Sequence, residues 1–175
     1  MSYYHVFLCS GGVDSAYLAA SMRPAYETGL ALFVDYGQPA AKKERSAARI
    51  MAKSGGNSFA EIKVSGMPLG EMADGIGAHI VPARNLWLIS LAAAFGKNIW
   101  IGCAQQDERD YEDCRLEFLH AGDLHLQTLG KRLNWSPSGR DERIEKLKEL
   151  NLYDYVWSCY GAGPSPCGTC ASCTQ

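Results

Sequence analysis

Residues 10–15 read Ser-Gly-Gly-Val-Asp-Ser and separate two segments of different pattern. Residues 4–9 (Tyr-His-Val-Phe-Leu-Cys) are mostly apolar and have the length of a strand, whereas residues 16–22 predict a helix. A strand, a glycine-rich turn and a helix N-terminus in this order form an anion-binding site. Glycine lets the backbone approach the ligand, and the first N–H groups of the helix point at it. We therefore expect residues 10–15 to bind phosphate.

Two common phosphate-binding motifs are missing from the sequence. It contains neither G-x-x-x-x-G-K-[ST] nor G-x-G-x-x-G, which excludes a Walker-type loop and a dinucleotide fingerprint. An ordinary strand-to-helix turn, capped by serine and aspartate, is the competing interpretation of residues 10–15. We favour phosphate binding because all six residues stand between a strand pattern and a helix pattern.

Strand and helix patterns alternate along the rest of the chain. Further strands are predicted at 29–34, 58–64, 98–103 and, from alternating aromatic residues, 153–157; helices are predicted at 40–53, 85–95, 117–129 and 139–150. This alternation indicates an α/β fold, a doubly wound, mostly parallel five-stranded sheet, in one domain spanning residues 1–175. Ligands of such sheets bind at the carboxyl ends of the strands, where Ser10, Asp35 and residues from 104 onward fall.

Three shorter segments carry weaker expectations. Residues 67–80 predict a loop that covers part of the molecule, and residues 85–95 are apolar on all sides, which predicts a buried helix. Ser138 and Asp141 have the spacing of a capping box for the last long helix.

The composition is that of a water-soluble globular enzyme. The 175 residues are 47% hydrophobic and 21% charged, with 17 Lys+Arg against 19 Asp+Glu. A net charge of -2 gives no large basic surface, so we expect no direct nucleic-acid binding. The sequence shows no signal-peptide pattern and no apolar stretch long enough to span a bilayer, so we expect no membrane association and a cytoplasmic location.

Seven cysteines, an odd number, favour a reducing compartment over disulfides. Four of them follow the pattern Cys159-x7-Cys167-x2-Cys170-x2-Cys173 within residues 156–175, which we read as a metal-binding tail integral to the domain. Four thiolates suit one structural, tetrahedral Zn²⁺; an Fe–S cluster and a redox dithiol are the alternatives. Cys9 and Cys103 lie in apolar strands and are expected to pack in the core. Cys114 stays unassigned.

Five sequence blocks occur in an order that resembles a known family. They are Ser10–Ser15, Asp35-Tyr36-Gly37-Gln38, Val81-Pro82-Ala83-Arg84-Asn85, Asp107 with Tyr111-Glu112-Asp113-Cys114-Arg115, and Trp157-Ser158-Cys159-Tyr160. The first block is similar to the pyrophosphate-binding loop of the ATP pyrophosphatase (PP-loop) superfamily, whose fold is of the adenine nucleotide alpha hydrolase type. The whole set resembles the 7-cyano-7-deazaguanine synthase family of queuosine and archaeosine precursor synthesis.

The resemblance implies a reaction. The family converts 7-carboxy-7-deazaguanine and ammonia to the nitrile 7-cyano-7-deazaguanine at the expense of ATP, through an adenylated acid and an amide. ATP with Mg²⁺ would be the co-substrate, with Asp14 placing the ion or ordering the loop. The remaining ATP-binding residues implied are Leu8, Ser10, Gly11, Gly12, Val13, Ser15, Asp35 and Tyr36. The catalytic residues implied are Arg84, Asp107, Asp113 and Arg115, and the substrate-binding residues are Gln38, Asn85 and Tyr111.

The chain departs from the family pattern in places. Ala83 stands where the family usually has glycine, and residues 139–142 (Gly-Arg-Asp-Glu) stand where the family carries lysine followed closely by glutamate. Arg140 keeps the charge of that lysine but not its geometry. These departures leave two alternatives open. One is another PP-loop enzyme that amidates or thiolates a different acceptor; the other is a member that binds or transfers a deazaguanine or nucleotide in a larger assembly without releasing nitrile. A homodimer is also left open.

Overall fold

The computed structural model describes residues 3–22, 29–67, 81, 83–103 and 111–174. Its centre is a five-stranded sheet made of β1 (Tyr3–Leu8), β2 (Gly29–Asp35), β3 (Ser58–Lys63), β4 (Gly96–Trp100) and β5 (Arg132–Asn134). The strands lie in the order β3-β2-β1-β4-β5, and all four neighbouring pairs are parallel. The predicted five-stranded parallel sheet is therefore confirmed.

Helices connect the strands and cover the sheet. They are α1 (Val13–Ser21), α2 (Ala41–Ser54), α3 (Arg84–Ala93), α4 (Leu116–Gln127), α5 (Arg140–Glu149) and the short α6 (Ala171–Thr174). Helix α1 starts three residues earlier than predicted, so that Val13, Asp14 and Ser15 form its first turn. The sequence block 10–15 is thus half turn and half helix. Residues 68–80 of the predicted covering loop lie outside the described part of the chain.

The side chains of the central strands alternate between two apolar layers. In β2, Leu30, Leu32 and Val34 face the layer formed with α3 and α4, whereas Ala31 and Phe33 face the layer formed with α1, α2 and α5. Both layers are buried, which is why the sequence of this strand is a continuous apolar run. Helices on both faces of the sheet confirm the doubly wound architecture.

The fifth strand lies elsewhere than predicted. The expected strand at 153–157 is wrong: residues Tyr153–Tyr155 form a 3₁₀ turn, and both tyrosines are exposed. The alternation of aromatic residues there does not reflect a buried face. The actual edge strand, Arg132–Asn134, has three residues, of which only Leu133 is buried. One apolar side chain between two polar ones leaves no detectable strand pattern.

The starts of α3 and α5 also differ from expectation. Helix α3 is not buried on all sides, because Leu86 is exposed at its surface. Its first turn is preceded by Ala83 in the left-handed conformation, with φ 53°. At α5 the predicted capping box is wrong: Gly139 is the N-cap residue, and no side chain caps the helix. The Ser138 hydroxyl instead pairs with Ser136 and accepts a bond from Arg143.

The topology places a crevice at the carboxyl end of β1. Strand β1 pairs with β2 on one side and β4 on the other, so the connections leaving β1 and β4 run to opposite faces of the sheet. The loop at 10–15 follows β1 directly, and Gly102 follows β4. A Cβ atom at Gly102 would lie 2.8 Å from the Ser15 backbone nitrogen, so the two loops are in close contact. Among the described helices, none is long and apolar enough to cross a membrane.

Candidate active site

An open cleft occupies the predicted position at the carboxyl ends of the strands. Its cavity volume is about 190 Å³. Eleven of the predicted site residues line it: Leu8, Ser10, Gly12, Val13, Asp14, Ser15, Tyr36, Gln38, Arg84, Asn85 and Tyr111. Four others, Gly11, Asp35, Asp113 and Arg115, are not part of its lining. Asp107 lies outside the described residues.

The loop at 10–15 is held in shape by the hydroxyl of Ser15. Its Oγ accepts bonds from the backbone N–H groups of Ser10 (3.2 Å) and Gly11 (3.1 Å), and donates one to the Gly12 carbonyl (3.1 Å). Gly11 has φ +81°, and a Cβ there would lie 2.5 Å from the Ala47 Cβ. Only glycine fits a position with both this backbone angle and this close approach to α2. The loop is therefore rigid and presents the N-terminus of α1 to the cleft.

The cysteine tail forms a wall of the same cleft. The Trp157 N–H donates to the Gly11 carbonyl (3.0 Å), and the Val13 N–H donates to the Ser158 hydroxyl (3.3 Å). The Lys43 ammonium lies 4.9 Å from the centre of the Trp157 ring and donates to the Pro164 carbonyl at 3.1 Å. The tail therefore contacts the loop at 10–15 and α2 directly.

The four tail cysteines can hold a metal ion. Their Sγ atoms all lie within 4.8 Å of one another. A tetrahedral zinc with Zn–S bonds near 2.3 Å requires sulfur atoms about 3.8 Å apart, which a small contraction of the cluster provides. The Cys159 sulfur accepts bonds from the Gly161 and Cys167 N–H groups, both at 3.3 Å. Backbone N–H groups of Thr169 and Cys170 lower the pKa of Cys167 to about 5. Cys167 is thus favoured as a thiolate, the form that binds metal, whereas burial raises the pKa of Cys173 to about 12.

The other three cysteines are buried, which confirms core positions for Cys9 and Cys103. Burial raises the pKa of the Cys9 thiol to about 12, so this thiol stays protonated and inert. The sulfur of Cys114, which the sequence left unassigned, receives a bond from the Asn85 amide at 3.5 Å. Cys114 is buried and lines the cleft beside Asn85.

Gln38 organises one wall of the cleft through its side-chain amide. Its Nε2 donates to the Glu44 carboxylate (2.8 Å) and the Val34 carbonyl (3.2 Å), and its Oε1 accepts the Tyr36 N–H (2.9 Å). The residue is buried. These bonds commit the Gln38 amide to protein partners and fix the positions of Tyr36 and Glu44.

Glu44 lines the cleft and was not predicted from the sequence. Burial raises the pKa of its carboxyl to about 7, although the bond from Gln38 and the charge of Arg84 act in the opposite direction. The group therefore exchanges a proton near neutral pH. Its sequence position, in the first turn of a charged helix, is typical of an ordinary solvated acid. Only its tertiary contacts, burial in the cleft and the bond from Gln38, distinguish Glu44 from such an acid.

Arg84, the first residue of α3, brings a positive charge into the cleft. Burial alone would lower the pKa of its guanidinium. Tyr36, Tyr160 and Asp113 outweigh this effect and hold the pKa above its ordinary value, with a hydrogen bond to Tyr36 contributing. Arg84 is therefore always charged. Burial also raises the pKa of Tyr36, so its hydroxyl is neutral near pH 7 and leaves the cation able to attract an anionic ligand.

Asp113 and Asn85 bind each other beside Arg84. The Asp113 carboxylate accepts the Asn85 backbone N–H at 3.0 Å, and the Asn85 amide donates to the Asp113 carbonyl at 3.0 Å. This pairing satisfies an orphan donor at the start of α3 and fixes the helix that carries Arg84. The neighbouring Tyr111 hydroxyl lies 3.4 Å from that of Tyr160.

Two predicted residues have their described contacts away from the cleft. Asp35 forms an ion pair with Arg45, and its carboxylate also accepts the Gly37 N–H at 3.1 Å. Arg115 lies 4.0 Å from the Glu112 carboxylate, with about half of its side chain exposed. The structure therefore does not bring Asp35 and Arg115 into the cleft with the other predicted residues.

Arg143 is the most deeply buried charged residue of the described chain, with 0% exposure, and it was not predicted. Its Nη1 donates to Asp14 Oδ1 at 2.7 Å. It also binds the carbonyls of Cys103 and Ser136 (2.9 Å each) and the Ser138 hydroxyl (3.2 Å). Eight of the ten residues of α5 are charged, which hides this one in the sequence. The only sequence signal for its burial is an apolar residue four positions later on the same helix face. That residue, Leu147, is fully buried.

Comparison with known proteins identifies the family. Residues 4–73 and 61–175 match the family model described as queuosine biosynthesis protein QueC.

The chain belongs to the QueC family.

Curated members of the QueC family are similar to it along nearly their whole length. A 7-cyano-7-deazaguanine synthase of Methanospirillum hungatei is 32% identical over 199 residues, covering 96% of this chain and 90% of that protein. One from a Synechococcus species is 32% identical over 205 residues, covering 99% and 92%. One from Erythrobacter litoralis is 32% identical over 198 residues, covering 95% and 83%. The resemblance seen in the sequence blocks is thereby confirmed, and the chain is an enzyme of the QueC family.

Proposed function

We propose that this chain is an ATP-dependent 7-cyano-7-deazaguanine synthase acting on 7-carboxy-7-deazaguanine and ammonia. The observation that carries the proposal is that one cleft combines an anion-binding loop at the start of α1 with a permanently charged Arg84. Such a cleft suits a reaction that transfers a nucleotide to a carboxylate. The names of the relatives supply the substrate class.

In the first step, a carboxylate oxygen of the substrate attacks the α-phosphorus of ATP and displaces pyrophosphate. Residues 10–15 hold the leaving pyrophosphate at the N-terminus of α1, where N–H groups and the helix dipole favour negative charge. Leu8 and Tyr36 border the nucleotide, and Asp35 supports that wall from behind. Mg²⁺, bound beside Asp14, would neutralise phosphate charge. Arg84 stabilises the negative charge that develops on the transferred phosphoryl group.

In the second step, ammonia attacks the activated carbonyl carbon, and AMP leaves to give the amide. The attacking nitrogen must lose a proton, and Glu44 is the group of the cleft whose pKa, about 7, suits proton transfer. The amide oxygen is then adenylated in the same way. Loss of AMP together with the last nitrogen-bound proton leaves the nitrile. Both activations use the same loop and the same Arg84.

Substrate recognition and metal binding complete the proposal. A carboxylate accepts two hydrogen bonds from the N–H edge of a guanine-like base, a role for Asp107 or Asp113 beside Gln38, Asn85 and Tyr111. Arg115, which stands outside the cleft lining, would pair with the substrate carboxylate after its side chain turns into the cleft. Structural Zn²⁺ on the four tail cysteines would hold the wall that carries Ser158, making residues 1–175 one functional unit. We place the enzyme in the cytoplasm, acting on free small molecules, because its core cysteines are free thiols.

The direct test is mass spectrometry of products from purified protein, 7-carboxy-7-deazaguanine, Mg-ATP and ammonium. Nitrile and AMP are expected. Amide alone would mean that the second activation fails, which points to Arg140 at the cleft margin. Unchanged acid without ATP cleavage would contradict the proposal. Arg84→Gln should lose product, whereas Arg49→Gln, on the exposed side of α2, serves as the matched control.

A further inference from the structure

The environment of Arg143 links three segments behind the phosphate loop. Its guanidinium binds Asp14 in α1, the Cys103 carbonyl after β4, and Ser136 and Ser138 before α5. Three of these four acceptors are neutral oxygens, and Asp14 is the one carboxylate. The ring of Tyr17 lies beside the guanidinium, 5.8 Å away. Each nitrogen of the guanidinium therefore donates to a protein oxygen.

Asp14 is held on one side only. Its Oδ1 accepts the Arg143 bond at 2.7 Å, whereas Oδ2 makes no hydrogen bond within the described part of the chain. The side chain keeps 18% of its surface exposed, and the residue lines the cleft. A carboxylate has lone pairs for about four partners, so Oδ2 keeps its capacity for a ligand. Oxygen ligands of this kind are those that Mg²⁺ prefers.

Packing alone does not explain a buried arginine at this position. Two residues of the same helix face, Arg143 and Leu147, are fully buried, and Leu147 packs against the α1 layer without any polar partner. Replacing a buried ion pair by apolar residues is often neutral or stabilising for a fold. A cation kept here, next to the loop's one carboxylate, is better explained by what it does to Asp14.

We propose that Arg143 is a positioning residue for the nucleotide's magnesium ion. It fixes the Asp14 carboxylate by Oδ1, so that Oδ2 is presented to the cleft to bind the Mg²⁺ that accompanies ATP. This inference rests on the proposed ATP-dependent function and adds to it a residue outside the phosphate loop.

The test compares ATP binding with Mg²⁺ and with EDTA, by titration calorimetry, in the wild-type chain and in R143M, R143K and D14N. The quantity of interest is the ratio of the two affinities. R143M should reduce this ratio at least tenfold, to the level of D14N, with Mg-free ATP affinity changed less than threefold. R143K, which keeps the charge but fewer bonds, should recover part of the ratio. The double variant R143M/D14N should lose no more than either single variant.

Thermal unfolding of each variant separates positioning from stability. Arg132→Met is the matched control, because Arg132 pairs with Asp123 at 2.9 Å away from the cleft; it should leave the ratio unchanged. If R143M does not fold, the magnesium ratio is compared between the wild-type chain, R143K and D14N. A lower melting temperature with an unchanged magnesium ratio in the Arg143 variants would overturn the inference.

The outcome for the proposed function is separate. A wild-type chain that binds ATP in a magnesium-dependent way but forms no nitrile contradicts the proposed function and leaves the role of Arg143 standing. A chain that forms nitrile, with Arg143 variants of normal magnesium ratio, contradicts only the role of Arg143. Magnesium-independent ATP binding by the wild-type chain contradicts the role of Arg143 as well.

Discussion

Arg84 and Arg143 place two guanidinium groups at the same cleft in opposite situations. Arg84 lines the cleft and is surrounded mainly by tyrosine hydroxyls, with Asp113 already bonded to Asn85. Arg143 lies behind the cleft wall, fully enclosed and bonded to four oxygens. One positive charge is thus available to a ligand, and the other is already used by the protein. Burial alone does not distinguish the two roles; the partners do.

Arg143→Met has the largest expected effect on stability. An unchanged free energy of unfolding would contradict the distinction between the two arginines. The substitution leaves Asp14 and two buried carbonyls without their donor, so we expect the free energy of unfolding to fall by about 3–5 kcal/mol. Urea denaturation measures it. Arg132→Met removes a side chain that is 60% exposed, and the buried Asp123 keeps its bonds from Gln127 and the Leu133 N–H, so the loss should be about 1 kcal/mol. Equal decreases in the free energy of unfolding in the two variants would contradict a stabilising role for the buried hydrogen bonds of Arg143.

Arg84→Gln tests the other half of the comparison. Loss of a preorganised cation should lower kcat/KM for nitrile formation by roughly 10²–10³, about 3–4 kcal/mol of transition-state stabilisation. At pH 5, where Glu44 is protonated in the folded chain, the melting temperature should change little, because Asp113 keeps its bond from the Asn85 N–H. Steady-state kinetics and thermal unfolding on one preparation decide it. A large stability loss with normal turnover would assign Arg84 to the fold instead.

Glu44 reports on the charge of Arg84, because Arg84 is one of the groups that set the pKa of this carboxyl. Burial raises the pKa of this carboxyl from 4.5 to about 7. Between these values the folded chain keeps a proton that the unfolded chain releases. The free energy of unfolding attributable to Glu44 therefore falls as pH rises from 4.5 through 7, by at most about 3 kcal/mol.

Urea denaturation at pH 5 and pH 8 measures this contribution. Glu44→Gln should remove that part of the pH dependence, while Glu117→Gln, an exposed acid on α4, should not. Arg84 lowers the pKa of Glu44, so Arg84→Gln should raise this pKa further. The free energy of unfolding should then continue to fall up to a higher pH. An identical pH profile in wild type and Glu44→Gln would contradict the assignment.

Ala83 gives the smallest effect. It precedes Arg84 with φ 53°, a conformation that costs a non-glycine residue about 1–2 kcal/mol. Ala83→Gly should relieve this strain, partly offset by the greater freedom of glycine in the unfolded chain, for a net gain of up to about 1 kcal/mol. Chemical denaturation measures the gain. Ala94→Gly, at the other end of α3 with φ -68°, should destabilise the fold instead.

The sequence predicted the parts of the molecule whose signals are local. The strand–turn–helix unit around residues 10–15 and the cysteine spacing each lie within twenty residues, so pattern and chemistry coincide there. β5 escaped prediction because one buried leucine in three residues carries no period. The aromatic alternation at 153–157 misled because two of those rings face solvent.

The missed site residues share one cause. Glu44 and Arg143 stand in charged helices whose sequences predict solvated side chains, and only tertiary contacts bury them. The partner of Arg143 lies 129 positions away in the sequence. Burial of a single charge by distant segments leaves no mark on local composition. Candidate residues such as Arg84, by contrast, were found because they belong to short recognisable blocks.

The bond between the Val13 N–H and the Ser158 hydroxyl joins residues 145 positions apart. Val13 is therefore synthesised 145 residues before the side chain that its N–H group binds. During synthesis the loop at 10–15 forms without this partner. A nascent chain acquires the complete surroundings of the loop only after Ser158 has left the ribosome.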